Sequence, residues 1–263
     1  MFYSFVFYAL IGCVLSGISL SLFSPYVNLR KISYMGEALS HIAFAGIAIA
    51  LVTGMNMQLV TMIFVMAIAI SIGYLAQKFR LEEANAISIF LSVSMAFGIL
   101  LISLKRSYTF DLASYLFGNV LLVDRVDVYQ LAGLSLINLG FISFFYKELF
   151  YMTYNMEIAG VYRIKVKLVS YLFLLLLAVN IVVNLKIAGI ILVTAQLVLP
   201  SAIAFNLSRN FKSAIVIGCI AALISALGGF YLSWVMNLPT GASIVCYQFL
   251  LFILSLFLKA KHT

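Results

Sequence analysis

GIILVTAQLVLPSAIAFNLSRNFK, residues Gly189–Lys212, is the stretch around which this chain is organised. Its first half is an apolar run typical of a membrane helix, and Pro200 follows that run. Proline lacks a backbone donor and clashes with the carbonyl four residues back, so we expect the helix to bend or end there. Small and then polar or basic residues follow, namely Ser201, Ala202, Ala204, Asn206, Ser208, Arg209 and Lys212. Such a segment suits docking against another protein at a membrane surface, and it equally suits a kinked helix with snorkelling cations.

The composition places the whole chain in a membrane. Sixty-five per cent of the 263 residues are hydrophobic and 9% are charged, which excludes an ordinary soluble domain. Long apolar runs separated by short polar ones predict an all-α, polytopic helical membrane protein. The net charge of +8 does not indicate nucleic-acid binding, because the basic residues are scattered among the loops.

We predict about nine transmembrane helices that pack as a single transmembrane domain over residues 1–263, because no linker or low-complexity tract divides the chain. Three cysteines lie inside apolar runs and are expected to be buried thiols: Cys13, Cys219 and Cys246. The predicted spans are Tyr3–Pro25, Met35–Thr53, Met57–Ala76, Ala84–Leu104, Val126–Tyr146, Leu168–Asn184, Ile187–Phe205, Ser213–Met236 and Ser243–Leu258.

The loop charges predict the orientation of these spans. Basic residues concentrate on cytoplasmic loops, so the amino terminus is expected outside and the carboxyl terminus in the cytoplasm. The inner loops then contain Arg30, Lys31, Lys78, Arg80, Lys147, Arg163, Lys165, Lys167, Arg209, Lys212, Lys259 and Lys261. The outer loops contain Lys105, Arg106, Arg125 and Lys186.

A family resemblance begins in the organising stretch. AQLVLPSAIA (Ala195–Ala204) resembles the LLVIPAATA segment of the membrane subunits of zinc/manganese/iron ABC importers. The resemblance implies a fold related to the vitamin B12 and siderophore permeases, in which this segment leads into the loop that contacts the ATPase. It assigns ATPase coupling to Pro200, Ser201, Ala202, Ala204, Asn206 and Arg209. NMEIAG in the longest inner loop is similar to the family's DPEFA…G motif and adds Asn155, Glu157 and Gly160 to that set.

Two further stretches are relevant on this reading. We expect a short outer or re-entrant helix within Ser107–Asp127, where Tyr115–Gly118 resembles the family's YLFG. Carboxylates in this region either guide cations, receive a binding protein or are simply solvated: Asp111, Asp124 and Asp127. PYVNLR (Pro25–Arg30) echoes the Pro200–Arg209 segment in its order of proline, Asn-Leu and arginine, which is consistent with a structural repeat or with chance.

An ionisable pair lies within the second predicted span. Glu37 and His41 are four residues apart and share one helix face. His41 is ten residues beyond Lys31, so a continuous helix would place it about 15 Å further on, near the bilayer middle. A carboxylate and an imidazole suit Zn²⁺ and other first-row divalent ions. The pair equally suits a structural polar clasp, and its spacing alone does not separate the two.

The resemblance favours the metal path. GEALSH (Gly36–His41) is similar to the family's GDALSHA motif, whose acid and histidine are assigned to the path of the metal, with Glu37 in place of the usual Asp. The family implies two copies of the permease, an ABC ATPase subunit, an extracytoplasmic metal-binding protein and a bacterial plasma-membrane location. The transported ion would be zinc, manganese or iron, with no resident cofactor in this chain.

The absence of certain motifs bounds the function further. The chain has no phosphate-binding loop, so ATP would be hydrolysed by a separate subunit and this chain would not be an enzyme. Three alternatives to the metal ABC permease remain. They are a siderophore or cobalamin ABC permease, a secondary proton-coupled metal transporter that uses Glu37 and His41 as a proton relay, and a non-transporting membrane scaffold.

Overall fold

The computed structural model describes residues 2–79, 81–104, 118, 123–154 and 166–260, with side chains from residue 6 to residue 259 of those ranges. The described part contains ten helices: α1 Phe2–Ser21, α2 Ser24–Leu29, α3 Tyr34–Thr53, α4 Met57–Phe79, α5 Glu83–Leu104, α6 Arg125–Phe144, α7 Tyr146–Tyr154, α8 Val166–Leu207, α9 Phe211–Met236 and α10 Thr240–Ala260. Eight of its segments are long and apolar enough to cross a membrane, with α1 and α2 counted together.

Helix α8 is a hairpin of two arms rather than one straight rod. Its 42 residues include Gly189, whose backbone is not helical, at φ 70° and ψ 171°. Phe173 and Ser201 lie on either side of Gly189, and both contact α2. The ring centroid of Phe173 is 6.2 Å from that of Tyr26, and the Ser201 N–H donates to Ser24 Oγ over 3.1 Å. A straight helix would separate Phe173 and Ser201 by about 42 Å, several times the length of the six-residue α2.

The two arms account for the predicted sixth and seventh spans. The first arm (166–188) and the second arm (190–207) each cross the bundle, so the eight apolar segments provide nine crossings in the described part. The turn lies at Gly189, a few residues beyond the predicted break. Pro200 does not end its helix, which continues to Leu207, so of the two expectations for this proline the ending is wrong. Glycine alone readily adopts the backbone angles of residue 189, and this fixes the turn there.

A second glycine lies against the tip of this hairpin. Gly118 has φ 66°, and a Cβ added to it would meet Ala188 C at 2.6 Å, Ile187 O at 2.7 Å and the Gly189 N. The backbone of Gly118, the glycine of the YLFG-like segment, therefore contacts the backbone of the turn at residues 187–189 directly. Within Ser107–Asp127 the structure describes only residue 118 and residues 123–127, so the predicted outer helix lies outside the described residues.

Small residues let α3 pack closely against its neighbours. A Cβ on Gly46 would lie 2.9 Å from Thr61 Cα in α4, and one on Gly98 of α5 would lie 3.1 Å from Ala45 Cα. The small residues along α3 are all buried: Gly36, Ala38, Ala43, Ala45, Gly46, Ala48 and Ala50.

The side-chain contacts define two opposite ends of the bundle. At the first, here called the Arg30 end, Arg30 Nη2 lies 3.2 Å from Glu83 Oε1, and Tyr26 packs on Phe211 with ring centroids 5.1 Å apart. At the other, here called the Asp127 end, the Lys186 ammonium contacts both carboxylate oxygens of Asp127, at 2.7 and 2.8 Å. Arg30 lies beside Phe173, and Lys186 follows Phe173 by about 20 Å along the first arm, so the two basic residues that the charge pattern assigns to opposite sides lie at opposite ends.

A buried polar network joins α1, α6 and the first arm. Asn138 Nδ2 donates to Ser19 Oγ over 2.8 Å and to Asn180 Oδ1 over 2.7 Å, and Asn180 Nδ2 donates back to Asn138 Oδ1 over 2.9 Å. All three side chains are fully buried. Because each polar group has a partner, the network holds these helices together at low cost in the apolar interior.

The cysteines only partly match expectation. Cys13 is buried and Cys219 is partly buried, whereas Cys246 is exposed on the outward face of α10. The prediction of a buried Cys246 is therefore wrong, because an apolar run does not show which face of a membrane helix turns outward. All three thiols are free.

Candidate metal path and coupling end

Glu37 and His41 lie on the uncovered face of α3. Most of that helix is buried, and Leu39 and Ile42 are fully so, but Tyr34 is 69% exposed, Glu37 is exposed and His41 is half-buried. Because residues four apart share a helix face, the carboxylate and the imidazole are presented together at the surface of the single chain. An ionisable pair on the apolar part of a membrane protein requires a partner or an aqueous path on that side.

The pair lies closer to the Arg30 end than a continuous helix predicts. Helix α3 begins at Tyr34, so His41 is about 10 Å along a helix that is about 30 Å long, and Glu37 is in its first turn. The rise from Lys31 is interrupted because Lys31 has a left-handed backbone, with φ 59°. The expected mid-bilayer depth of His41 is therefore corrected to the first third of the helix.

The structure describes no partner for the polar side chains of this pair within the described ranges. Among the described residues, neither Glu37 nor His41 has a hydrogen bond or an ion pair with another side chain. No group of three or more His, Cys, Asp or Glu side chains gathers within the described ranges. Ser40 Oγ donates to Gly36 O over 2.7 Å, so this hydroxyl is engaged within its own helix. The carboxylate of Glu37 and the imidazole of His41 are therefore presented on an open face of α3, and their role as metal ligands stays a prediction.

The predicted ATPase-coupling residues of the second arm divide into buried and accessible ones. Pro200, Ser201 and Ala204 are buried, and the last two have no exposed surface. A Cβ on Gly218 of α9 would lie 3.5 Å from Pro200 O, so α9 covers this part of the arm. In this conformation these three residues therefore offer almost no surface for direct docking, and their role in ATPase coupling stays a prediction. The members of the set that keep surface are Ala202, Asn206 and Arg209.

The other predicted coupling residues, Asn155, Glu157 and Gly160, lie outside the described residues. The helix before them, α7, packs at the Arg30 end through aromatic contacts. Phe150 of α7 lies 5.4 Å from Phe211 at the start of α9, measured between ring centroids, and Tyr26 of α2 contacts the same ring. Helices α7 and α2 thus both contact Phe211.

The role of α2 was not predicted from the sequence. Asn28 Nδ2 donates to Ser201 Oγ over 3.1 Å, and the Ser201 N–H donates to Ser24 Oγ. The only signal in the sequence was the echo between Pro25–Arg30 and Pro200–Arg209, and the two segments that carry this echo are in contact. Whether they form a structural repeat stays a prediction.

Comparisons with known proteins agree with this architecture. The ABC 3 transport family matches residues 2–259. The chain belongs to this family. The manganese transport system membrane protein MntC of Listeria monocytogenes is 36% identical over 100% of this chain and 93% of the relative. The high-affinity zinc uptake system membrane protein ZnuB of Haemophilus influenzae is 28% identical over 97% of this chain and 100% of the relative.

Solved structures of ABC transporters share the fold. PsaBC from Streptococcus pneumoniae, solved in complex with Fab, matches with a TM-score of 0.82 and 29% identity, over 95% of this chain and 90% of that one. A metal-chelate type ABC transporter in an inward-facing conformation matches with a TM-score of 0.73 at 14% identity, over 95% of this chain and 84% of that one, which concerns the fold alone. Both the predicted membership of a metal ABC permease family and the predicted all-α permease fold are confirmed.

At the Asp127 end of this ABC 3 family member, the carboxylates of Asp124 and Asp127 have structural roles in a helix cap and a salt bridge. Asp124 caps α6 by accepting from the Asp127 N–H over 2.9 Å, and Asp127 accepts from the Asp124 N–H over 3.2 Å. The hydrogen bond from the Asp127 N–H lowers the pKa of Asp124. Asp127 is buried and paired with Lys186, so the expectation of a solvated or cation-guiding Asp127 is wrong. Asp111 lies outside the described residues.

Proposed function

We propose that this chain is the membrane-spanning permease of an ATP-driven importer that moves divalent transition-metal ions, manganese, zinc or iron, into the cytoplasm. Family membership and the manganese and zinc relatives support the substrate class. The observation that carries the proposal is the pair Glu37 and His41, presented on the uncovered face of a helix that is otherwise buried. The pair is where a dehydrated cation would find ligands in an apolar bundle.

A second copy of the chain would complete the site. One chain offers a carboxylate and an imidazole on its open face, and a two-fold axis beside α3 would bring two such pairs together. Four ligands of this kind suit Zn²⁺ in tetrahedral geometry, and with added water they suit Mn²⁺. Closed symmetric dimers are the commonest assembly of identical subunits. The proposed permease is therefore a homodimer with the metal path between its protomers.

The proposed ligands, Glu37 and His41, suit an ion that is bound during transport and then released better than one that is bound permanently. Conduction requires binding that is strong enough to replace hydration and weak enough to allow release. Glu37 and His41 have no orienting partners among the described residues, so their ligation depends on how closely the two protomers approach. A change in the separation of the protomers would then change the affinity for the ion. Such a change is how ATP hydrolysis elsewhere in the complex could load and release the metal.

The energy source would be a separate ABC ATPase subunit. The chain itself lacks a phosphate-binding loop. We place the ATPase at the Arg30 end, where Arg209 is exposed and α7 precedes the Asn155–Gly160 motif. The basic residues put this end in the cytoplasm, with the amino terminus outside a bacterial plasma membrane. An extracytoplasmic metal-binding protein would then deliver the ion at the Asp127 end.

Uptake by the reconstituted complex tests the proposal. The chain is co-purified with its ATPase, incorporated into liposomes with the metal-binding protein, and assayed for ⁵⁴Mn²⁺ and ⁶⁵Zn²⁺ entry with and without ATP. His41→Ala and Glu37→Gln should abolish ATP-dependent uptake while the assembled complex persists. Glu37→Asp should retain uptake, because it preserves the carboxylate. Glu82→Gln, a change at an exposed carboxylate outside α3, is the matched control and should behave as the parent.

Two results would contradict the proposal. If a double variant with apolar residues at positions 37 and 41 takes up metal at the parental rate, the pair is only a structural clasp. If uptake continues without nucleotide and follows a proton gradient, the chain is a secondary transporter.

A further inference from the structure

We propose that hydrogen bonds between α2 and the second arm transmit movement of that arm to the Glu37–His41 pair. Three residues form this contact, here called the α2 clasp: Ser24, Asn28 and Ser201. The proposal rests on the transport function proposed above and assigns these residues a positioning role in it. They bind neither metal nor nucleotide, and they act through the orientation of α3.

The clasp is a specific polar contact in an apolar interior. Ser201 and Ser24 are fully buried. The Ser201 N–H donates to Ser24 Oγ over 3.1 Å, and Asn28 Nδ2 donates to Ser201 Oγ over 3.1 Å. The Ser201 hydroxyl donates in turn to Val198 O over 3.0 Å. Because no water competes in such an interior, two directional bonds fix the position of α2 on the arm.

The same face of the second arm also contacts α3 next to Glu37. Leu197 is four residues before Ser201 and therefore lies on the same face. A Cβ added to Gly36 would lie 2.5 Å from Leu197 Cδ1, so Leu197 packs directly on Gly36. Leu197 is fully buried in the contact. The turn of the second arm from Leu197 to Ser201 thus contacts both α2 and Gly36, which precedes Glu37.

The connection between α2 and α3 is short and anchored. Only residues 30–33 separate the two helices. Arg30 pairs with Glu83 and its guanidinium lies 5.5 Å from the centroid of the Phe173 ring, with a side chain that is 5% exposed. Because this connection is short and anchored, a displacement of α2 would also move Tyr34 and Glu37 at the start of α3.

The other side of α2 contacts the end proposed to face the ATPase. Tyr26 packs edge-on against Phe211, at 5.1 Å and an interplanar angle of 77°. Phe211 begins α9 just after the second arm and also contacts Phe150 of α7. Helix α2 therefore lies between the α7–Phe211 cluster and the start of α3, and it touches both.

The test measures how many metal ions enter per ATP hydrolysed. Ser201→Ala and Asn28→Ala are assayed in the complete complex in liposomes with ⁵⁴Mn²⁺, together with Mn²⁺ binding at equilibrium. The matched control is Gln248→Met, which removes a bond of 3.2 Å between a buried amide of α10 and Gln196 of the same arm but leaves α2 untouched. Asn28→Gln keeps the amide donor at a position that is only half-buried.

We expect Ser201→Ala and Asn28→Ala each to lower the number of Mn²⁺ ions imported per ATP hydrolysed by about fivefold, while ATP hydrolysis and Mn²⁺ binding persist. A fivefold change corresponds to the loss of about one hydrogen bond. The double variant should be no worse than either single one, since both break the same bond, and Asn28→Gln should recover the ratio. Gln248→Met should lower thermal stability without changing the ratio.

A parental ratio in both clasp variants, or an equal loss in Gln248→Met, would overturn the coupling role and leave the transport proposal intact. If the parent complex itself shows no ATP-dependent uptake, the transport proposal fails first, and the clasp has nothing to couple.

Discussion

The hairpin at Gly189 can be tested at Gly118, where added bulk has no room. Gly118→Ala places a methyl group against the backbone of residues 187–189, at 2.6 Å from Ala188 C and 2.7 Å from Ile187 O. Backbone atoms cannot rotate away as a side chain can, so the turn or the segment around residue 118 must move. The substitution also forces alanine into a left-handed conformation, at φ 66°.

The two costs can be estimated separately. A non-glycine residue with left-handed backbone angles loses roughly 1–2 kcal/mol. Overpacking by one methyl group against a tightly packed partner adds roughly 1–3 kcal/mol. Together they predict a loss of roughly 2–5 kcal/mol, which is a large fraction of the stability of an ordinary domain.

A second glycine-to-alanine substitution is the matched control, and it is expected to raise the stability of the protein. Gly133 lies within α6 and has no heavy atom within 4 Å of an added Cβ, so Gly133→Ala should stabilise the helix by about 0.5–1 kcal/mol. Both variants are purified in detergent and heated while the fluorescence of Trp234, the only tryptophan, reports unfolding. Gly118→Ala should unfold at a clearly lower temperature than the parent. Equal melting temperatures for the parent and Gly118→Ala would refute the close contact and with it the described hairpin tip.

Two other predictions concern the bundle ends. Pro239→Cys, in the exposed turn between α9 and α10, should react with a membrane-impermeant thiol reagent added outside cells, above the background of the parent, and labelling only from the cytoplasmic side would reverse the proposed orientation. The pKa of Asp124 is lowered mainly by the hydrogen bond from the Asp127 N–H, so its cap contributes stability above its ordinary pKa of about 3.9, and this is lost as pH falls through its lower folded value. Thermal unfolding of Asp124→Asn should therefore depend less on pH in the acidic range than that of the parent, and parallel curves would exclude the cap.

Much of this fold could be predicted because membrane crossings leave strong one-dimensional signals. A run of apolar residues predicts a span, and the nine predicted spans are found once the two arms of α8 are recognised. The small residues of α3 are typical of close helix packing in a membrane, because small side chains let the backbones of neighbouring helices approach each other. The exposed Cys246 was missed, since hydrophobicity is similar on the lipid face and the protein face.

The site was harder to predict because it depends on which helix faces meet. Glu37 and His41 could be chosen from their spacing and from the family motif, but only the structure shows that their face is uncovered. Ser201 was assigned to docking from its place after Pro200, whereas packing against α2 buries it. Asn28 was not selected at all, because a single amide in a helix gives no indication of a partner more than 170 residues away. Contacts of this range are fixed by tertiary packing, which a local pattern does not contain.

We propose that two copies of the chain share one metal site made from Glu37 and His41. Counting the ions bound to the purified complex tests this stoichiometry, by equilibrium dialysis against ⁶⁵Zn²⁺ or ⁵⁴Mn²⁺ followed by measurement of metal and protein. We expect one ion for every two permease chains, and we expect His41→Ala to remove this ion from the assembled complex while Glu82→Gln retains it. One ion for every chain, or an unchanged count in His41→Ala, would contradict the shared site.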